Sequence, residues 1–305
     1  MANQHATLAS LFDDIADAIR AGHTALTAEI PADYFPDVIR GLWAGTKKSL
    51  NDCSWEYIRW ASDAGIADLL WSVGDRKGVT LSGEWGNTLS LGGTYYCYIV
   101  GFNHNAAVEG ANRIHFEFGF DALSGGNHIA FVETAYNQYY TNTSHKYYLR
   151  MNPTATNAGG WASCTMRTDT LNGNTRSFLT VLPSDLKDVL KTVTKYTDNV
   201  GGGTGSVESN VTATTDKIFI LNVHELRGTG TCNTYERNKT AQYAYYVNGN
   251  AKNRGKYNDG STLINIWTRS PYPSTGTQFL GLSSSEGGVY NEARFNLGVS
   301  PCFCV

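Results

Sequence analysis

The spacing of apolar residues changes at Val73, and that change limits the possible folds more than any other feature of the chain. Ahead of it they recur at three- and four-residue intervals, the period of one helical face. Beyond it they alternate, the period of a half-buried strand. A chain so divided is α+β, with a few helices gathered ahead of an antiparallel β-rich body.

Leu8, Leu11, Phe12, Ile15 and Ile19 share one helical face, with Asp13, Asp14 and Asp17 opposite and Gly22 as a stop. Residues 30–39 read as an extended stretch followed by a short helical turn. Together residues 1–45 form a helical module too small for reliable stability alone, so it needs a partner. Ser54 is placed to cap a helix, and apolar residues at 55, 58, 66, 69 and 70 predict one or two short helices. Strands are expected over 77–81, 95–102 and 113–120, with Gly and Asn clusters between them. Pro183 and Ser184 start a helix predicted over 184–194, with Leu186, Val189, Leu190 and Val193 as its buried stripe. The glycine-rich stretch 201–206 reads as a flexible connector that does not pack. Further strands are expected over 217–223, 242–247, 264–268, 279–282 and 297–305.

Composition narrows the function. With 24 Lys+Arg against 27 Asp+Glu, the net charge of -3 supplies no basic field for nucleic acid or an anionic membrane. No apolar run approaches the ~18 residues that begin to span a bilayer, so no membrane insertion is expected. The acidic helix at the N-terminus does not resemble a signal peptide, which predicts synthesis in the cytoplasm. Charged residues are only 17% while Tyr numbers 18 and Gly 32, which points to a surface of amides, hydroxyls and aromatic rings. The six cysteines, at 53, 97, 164, 232, 302 and 304, match no zinc knuckle or dense disulfide framework and read as reduced, partly buried thiols. The seven histidines show no ligand spacing, so neither a metal nor a cofactor is expected.

The C-terminal third carries Trp267-Thr268-Arg269-Ser270-Pro271 and, further on, Gly298-Val299-Ser300-Pro301-Cys302-Phe303. With Ser54-Trp55-Glu56-Tyr57-Ile58, Ile99-Val100-Gly101-Phe102-Asn103-His104-Asn105, Gly110-Ala111-Asn112-Arg113-Ile114-His115-Phe116 and Leu182-Pro183-Ser184-Asp185-Leu186, these segments resemble an uncharacterised family. Its members are abundant in phages and prophages of gut bacteria and end in W-x-R-S-P followed by G-V-x-P-x-F. The family looks like a variant of the C-type-lectin-like fold, shared with formylglycine-generating enzymes and the variable proteins of diversity-generating retroelements. The resemblance implies a lectin-like domain over 50–305. Residues 11–20 and 30–39 resemble an N-terminal module of phage tail and other virion proteins, which implies that 1–45 is a docking element.

In retroelement-diversified relatives the ligand-facing residues lie in the segment that corresponds to 272–296. That resemblance implies a receptor-binding face built from Tyr272 and Tyr290 as aromatic anchors with Ser274, Thr277, Gln278, Asn291, Glu292, Arg294 and Asn296 as polar contacts. Tyrosine supplies large contact area with few rotors to freeze, and small polar residues adapt their hydrogen bonds. The alternative is that Phe279, Leu280 and Leu282 are core and the remainder is solvated loop. Trp267, Arg269 and Pro271 read as architectural, the Arg bonding carbonyls otherwise unpaired. Asn103, His104 and Asn105, with Glu109 and Asn112 nearby, read as a loop held by its own Asn side chains. Cys302 and Cys304 fall on one face of the last strand, and relatives of the fold use a cysteine pair with copper. Here no basic neighbour would lower a thiol pKa, and the core reading is preferred. The E-P-N, Q-P-D and W-N-D calcium motifs of true lectins are missing. Paired carboxylates for glycoside hydrolysis come from distant loops and leave no signature in sequence.

The expected protein is therefore a non-enzymatic bacteriophage or prophage virion surface protein, on tail or capsid, without cofactor. Residues 1–45 would hold it to other virion proteins as a homo-oligomer, and its lectin-like domain would bind a host cell-surface receptor, with carbohydrate among the candidates. The alternative is a purely structural virion component, a capsid decoration or tail part without host ligand.

Overall fold

The computed structural model describes residues 8–22, 29–43, 45–87, 89–119, 128–133, 149–247, 256–257, 263–283 and 287–305. The remainder of the N-terminal module, Phe120 at the end of an expected strand, and Ser284 and Ser285 within 272–296 lie outside the described residues. The described chain is α+β with antiparallel sheets and forms two compact units, Met1–Ser72 and Val73–Val305.

In the first unit, α1 (Leu8–Gly22) turns Ala16 and Ile19 inward and leaves Asp13, Asp14 and Asp17 exposed, as its spacing requires. Helices α2 (Phe35–Trp43), α3 (Trp55–Asp63) and α4 (Ala67–Leu70) follow. The Ser54 hydroxyl accepts the Tyr57 N–H at 3.1 Å and caps α3. Tyr34 packs edge-on against Tyr57 at 4.7 Å, and the Trp60 indole donates to the Glu29 carbonyl at 3.0 Å. Through these contacts residues 50–72 group with the helices before them, so the division falls after Ser72, later than the 45–50 interval that the sequence suggests.

The second unit is built on strands β1 (Arg76–Trp85), β2 (Leu89–Phe102), β3 (Ile114–Phe118), β4 (Val193–Asp198), β5 (Val211–Asp216), β6 (Ile218–Phe219), β7 (Lys256–Tyr257), β8 (Leu263–Ile264), β9 (Ile266–Pro271), β10 (Gln278–Leu282), β11 (Gly288–Glu292) and β12 (Cys302–Cys304). Short helices α5 (Ala106–Glu109), α6 (Gly160–Ser163), α7 (Phe178–Val181), α8 (Ser184–Val189), α9 (Val223–Arg227) and α10 (Thr234–Asn238) fill the connections. The main sheet runs β1-β2-β3-β12-β6, so the C-terminal strand lies in its interior, between β3 and β6. Phe303 of β12 pairs with Phe116 of β3, their rings stacked at 5.1 Å. A second sheet, β11-β10-β9, carries the W-x-R-S-P motif on β9. Trp85, Phe118, Phe131 and Phe178 form an aromatic core, and the buried Trp85 indole is satisfied by the Thr170 carbonyl at 2.8 Å.

Several local expectations change, among them the strand expected over 297–305, which is only Cys302–Cys304. The helix predicted over 184–194 stops at Val189, because Val193 begins a six-residue ladder with β5 in which β-branched Val and Thr side chains suit the pleat. Over 217–223 the strand is only Ile218–Phe219, since Asn222 caps α9. Residues 242–247 contain a single helical turn at Ala244–Tyr246, which directs Tyr243 and Tyr246 into the interior. The stretch 201–206 is packed. Its amides donate to side chains, Gly201 to Asp198 Oδ1 at 2.9 Å and Gly202 to Asn157 Oδ1 at 2.8 Å. Gly203, at φ +72°, lies where a Cβ would strike the Thr275–Gly276 backbone.

Asn157 ties this glycine loop to the turn after β9, since its Nδ2 lies 2.7–3.2 Å from the carbonyls of Tyr272, Thr275 and Gln278. Asn157→Ala would remove all of these bonds at a fully buried side chain and leave the Gln278 carbonyl only the Tyr272 N–H. We expect a loss of about 2–4 kcal/mol in urea unfolding, at roughly 1 kcal/mol for each bond.

Candidate functional site

Two places in the second unit concentrate functional chemistry, one at the surface and one in the core. At the surface, the turn between β9 and β10 is closed by the Tyr272 N–H on the Gln278 carbonyl at 2.9 Å, and the Ala293 N–H donates to the Thr277 carbonyl at 2.9 Å. Strand pairing sets Gln278 opposite Glu292 and Leu280 opposite Tyr290. Directly opposed residues point to the same side of a sheet, so Gln278, Tyr290 and Glu292 share a face. Tyr272 stacks on Tyr290 with ring centroids 4.1 Å apart, and Arg294 Nε donates to Glu292 Oε2 at 2.7 Å. Tyr290 is 46% exposed, the one aromatic among the exposed large apolar residues described.

The structure thus brings seven of the nine sequence-proposed contact residues to one surface region: Tyr272, Ser274, Thr277 and Gln278 on the turn, with Tyr290, Glu292 and Arg294 beside it. Asn291 and Asn296 are buried and take no part in that face. Asn291 points to the opposite side of β11 because adjacent strand residues alternate. Sequence reasoning missed Asn157 and Gly201–Gly203, which hold the turn from below. A cluster of glycines in a row signals a flexible linker equally well, so only the tertiary contact distinguishes the two.

In the core, Lys195 on β4 is surrounded by acceptors. Its Nζ lies 2.6 Å from Glu109 Oε2, 3.1 Å from Glu225 Oε1 and 2.9 Å from the Tyr243 hydroxyl. Glu225 is also held by Arg269 of the W-x-R-S-P motif, which donates through both Nη atoms, and its Oε2 accepts the Asn222 N–H at 2.9 Å. The Asn222-x-x-Glu225 spacing is a capping box legible in the sequence. The second duty of that carboxylate is not. Arg269 further reaches the Ile220 carbonyl and Thr197 hydroxyl, both at 3.0 Å, as its architectural reading requires.

Burial raises the Glu109 carboxyl to about 7, against the pull of Lys195. Burial acts on Glu225 in the same direction, but Arg269 and Lys195 outweigh it and hold that carboxyl below its ordinary range. Burial, with the Lys195 charge second, lowers His104 to about 3 and His115 well below its usual value. The Tyr243 hydroxyl accepts from Lys195 and lies 2.9 Å from His115 Nδ1, which Cys304 Sγ also meets at 3.3 Å.

His104, Glu109 and Glu225 offer three ligand atoms within 4.8 Å of one another. The Lys195 ammonium already meets both carboxylates there and meets their need for a cation. Cys302 and Cys304 are buried free thiols, pushed up by burial, Cys304 to about 12, which keeps them protonated and unreactive. Asn103 and Asn105, both at positive φ, hold their loop through bonds with Arg113 N–H and the Lys239 carbonyl.

A neutral histidine in the core makes stability depend on pH. Unfolded His104 takes a proton below about pH 6.5, whereas the folded one stays neutral to about 3, so stability declines as pH falls through that window. Glu109 and Glu236, both raised to about 7, oppose this between about pH 4.5 and 7, because there the folded state holds the proton. His104→Phe keeps the ring that stacks on Tyr243 at 3.5 Å and removes the titration. Urea unfolding at a series of pH values should show a slope shallower on the acid side by about 1.4 kcal/mol per pH unit between about pH 6 and 4.

A family model described as a domain of unknown function (DUF6273) matches residues 127–305. Comparison with curated proteins and with solved structures gives no match.

Proposed function

The chain belongs to the DUF6273 family, and from the exposed face of its second unit we propose that it is a binding protein whose ligand is a glycan of a host cell surface. The observation that carries this reading is the stacked Tyr272–Tyr290 pair, half-exposed at the edge of a packed sheet, beside the Glu292–Arg294 pair and Gln278. An exposed aromatic face takes up the C–H surface of a sugar ring, and carboxylate, guanidinium and amide groups match its hydroxyls. The turn that carries Tyr272 is held by Asn157, so little freedom is lost when a ligand binds.

The wider setting rests on resemblance. The W-x-R-S-P and G-V-x-P-x-F motifs resemble those of a phage and prophage family with a C-type-lectin-like domain. The return of the C-terminal strand to the interior of the main sheet, with a separate small sheet bearing the exposed face, is compatible with that fold. The protein would be displayed on a virion, with the N-terminal module docking it as an oligomer and avidity compensating for weak single contacts.

The test is saturation binding of labelled protein to whole bacterial cells and to immobilised glycans. Tyr290→Ala should weaken binding by roughly 30-fold, the effect of losing an interfacial aromatic anchor, with urea unfolding unchanged. Unaltered binding by that variant, or absence of binding by a folded wild-type protein, would sink the proposal and favour a structural virion component.

A further inference from the structure

Lys195, Lys256 and Arg269 each meet a buried carboxylate, and Arg167 meets Asp216 at 2.6 Å. Arg227, in the last turn of α9, is not balanced in this way. Its side chain is half-buried, its Nε is enclosed without a hydrogen-bond acceptor, and among the described residues no carboxylate forms an ion pair with it. A guanidinium withdrawn in part from water and left without an anion costs stability, and a ligand that supplies the anion recovers it.

The strand pattern of β11 fixes where this cation lies. Helix α9 packs beside β9 and β10, and a Cβ at Gly288 would lie 3.4 Å from Arg227 Nη1. The guanidinium therefore lies over Gly288, on the side of β11 to which a side chain at that position would point. Side chains two apart on a strand share a side, so this is the side of Tyr290 and Glu292. Gly288 is exposed, and with no side chain of its own it leaves the space beside the guanidinium open. Tyr290 stands two residues on, ~7 Å along the strand. Glu292 follows on the same side, but Arg294 engages it at 2.7 Å.

We propose that the glycan taken by this face carries an anionic group, a carboxylate or a phosphate, and that Arg227 selects for it. The inference rests on the glycan reading above and adds the charge of the sugar to it. A ring laid on the Tyr272–Tyr290 stack sets a substituent on its rim within reach of the guanidinium, whose planar fork matches two oxygens of either group. A neutral sugar offers only hydroxyls there and leaves the charge unmatched.

The test is binding of the full-length protein to surface polysaccharide purified from bacterial cells, presented native, with its carboxyls reduced to alcohols, and with its phosphodiesters removed by hydrofluoric acid. Wild-type protein should bind the native polymer about tenfold more tightly than one of the two treated forms, the effect of one charge-assisted contact. Loss on reduction identifies a carboxylate, and loss on hydrofluoric acid treatment a phosphate. Arg227→Gln should bind native and treated polymer alike, with urea unfolding unchanged, and Arg227→Lys should keep part of the preference. Equal wild-type binding to all three forms overturns the inference and leaves the glycan reading standing. A preference that persists in Arg227→Gln also overturns it, since the charge is then read elsewhere. Absence of binding to any form by the folded protein overturns both.

Discussion

The second unit depends on one buried electrostatic arrangement, the grip of Arg269 on Glu225 with Lys195 and Glu109 completing it. Two cations and two carboxylates balance in a region from which water is excluded. Each member comes from a different segment: β9, α9, β4 and α5. A buried charge without its partner costs about 3–5 kcal/mol, so these segments can dock only in the one relation that pairs them. The arrangement thus specifies how the small sheets and helices meet, a task that nonspecific hydrophobic burial performs poorly.

Tyrosine extends the same logic. Eighteen tyrosines in a weakly charged chain suggest an aromatic surface, yet Tyr98, Tyr243 and Tyr246 are fully buried. Their hydroxyls serve the interior acids and bases. Tyr98 and Tyr246 both donate to Glu117, beside Lys256, and Tyr243 joins Lys195 to His115. Each brings a large apolar ring together with one polar atom, which lets the core carry charged groups without leaving them unpaired.

The exposed face draws on this rigidity. Tyr290 stands on an edge strand paired with β10, whose Phe279 and Leu280 are buried, and Tyr272 leaves a turn fixed by Asn157 and the glycines of 201–203. The order of the exposed face comes from beneath it. A ligand would meet side chains already placed, which is the condition under which a small surface can bind usefully.

The sequence by itself determined the period of each segment and therefore the α+β division, the Ser54 cap, the β1–β2 and β2–β3 strands, the architectural role of Arg269 and the reduced state of the thiols. These follow from local spacing or from residue types whose chemistry admits few settings. Only the tertiary structure decided that helix 184–194 ends at Val189, that 201–206 packs, that 242–247 is a helical turn, and that Asn291 and Asn296 are buried. It alone assembled Glu109, Lys195, Glu225 and Tyr243 into one cluster. Local propensity is a fraction of a kcal/mol per residue, and a strand partner or a buried charge outweighs it. Partners that lie 86 residues away in the chain leave no periodicity in the sequence, because their relation exists only in space.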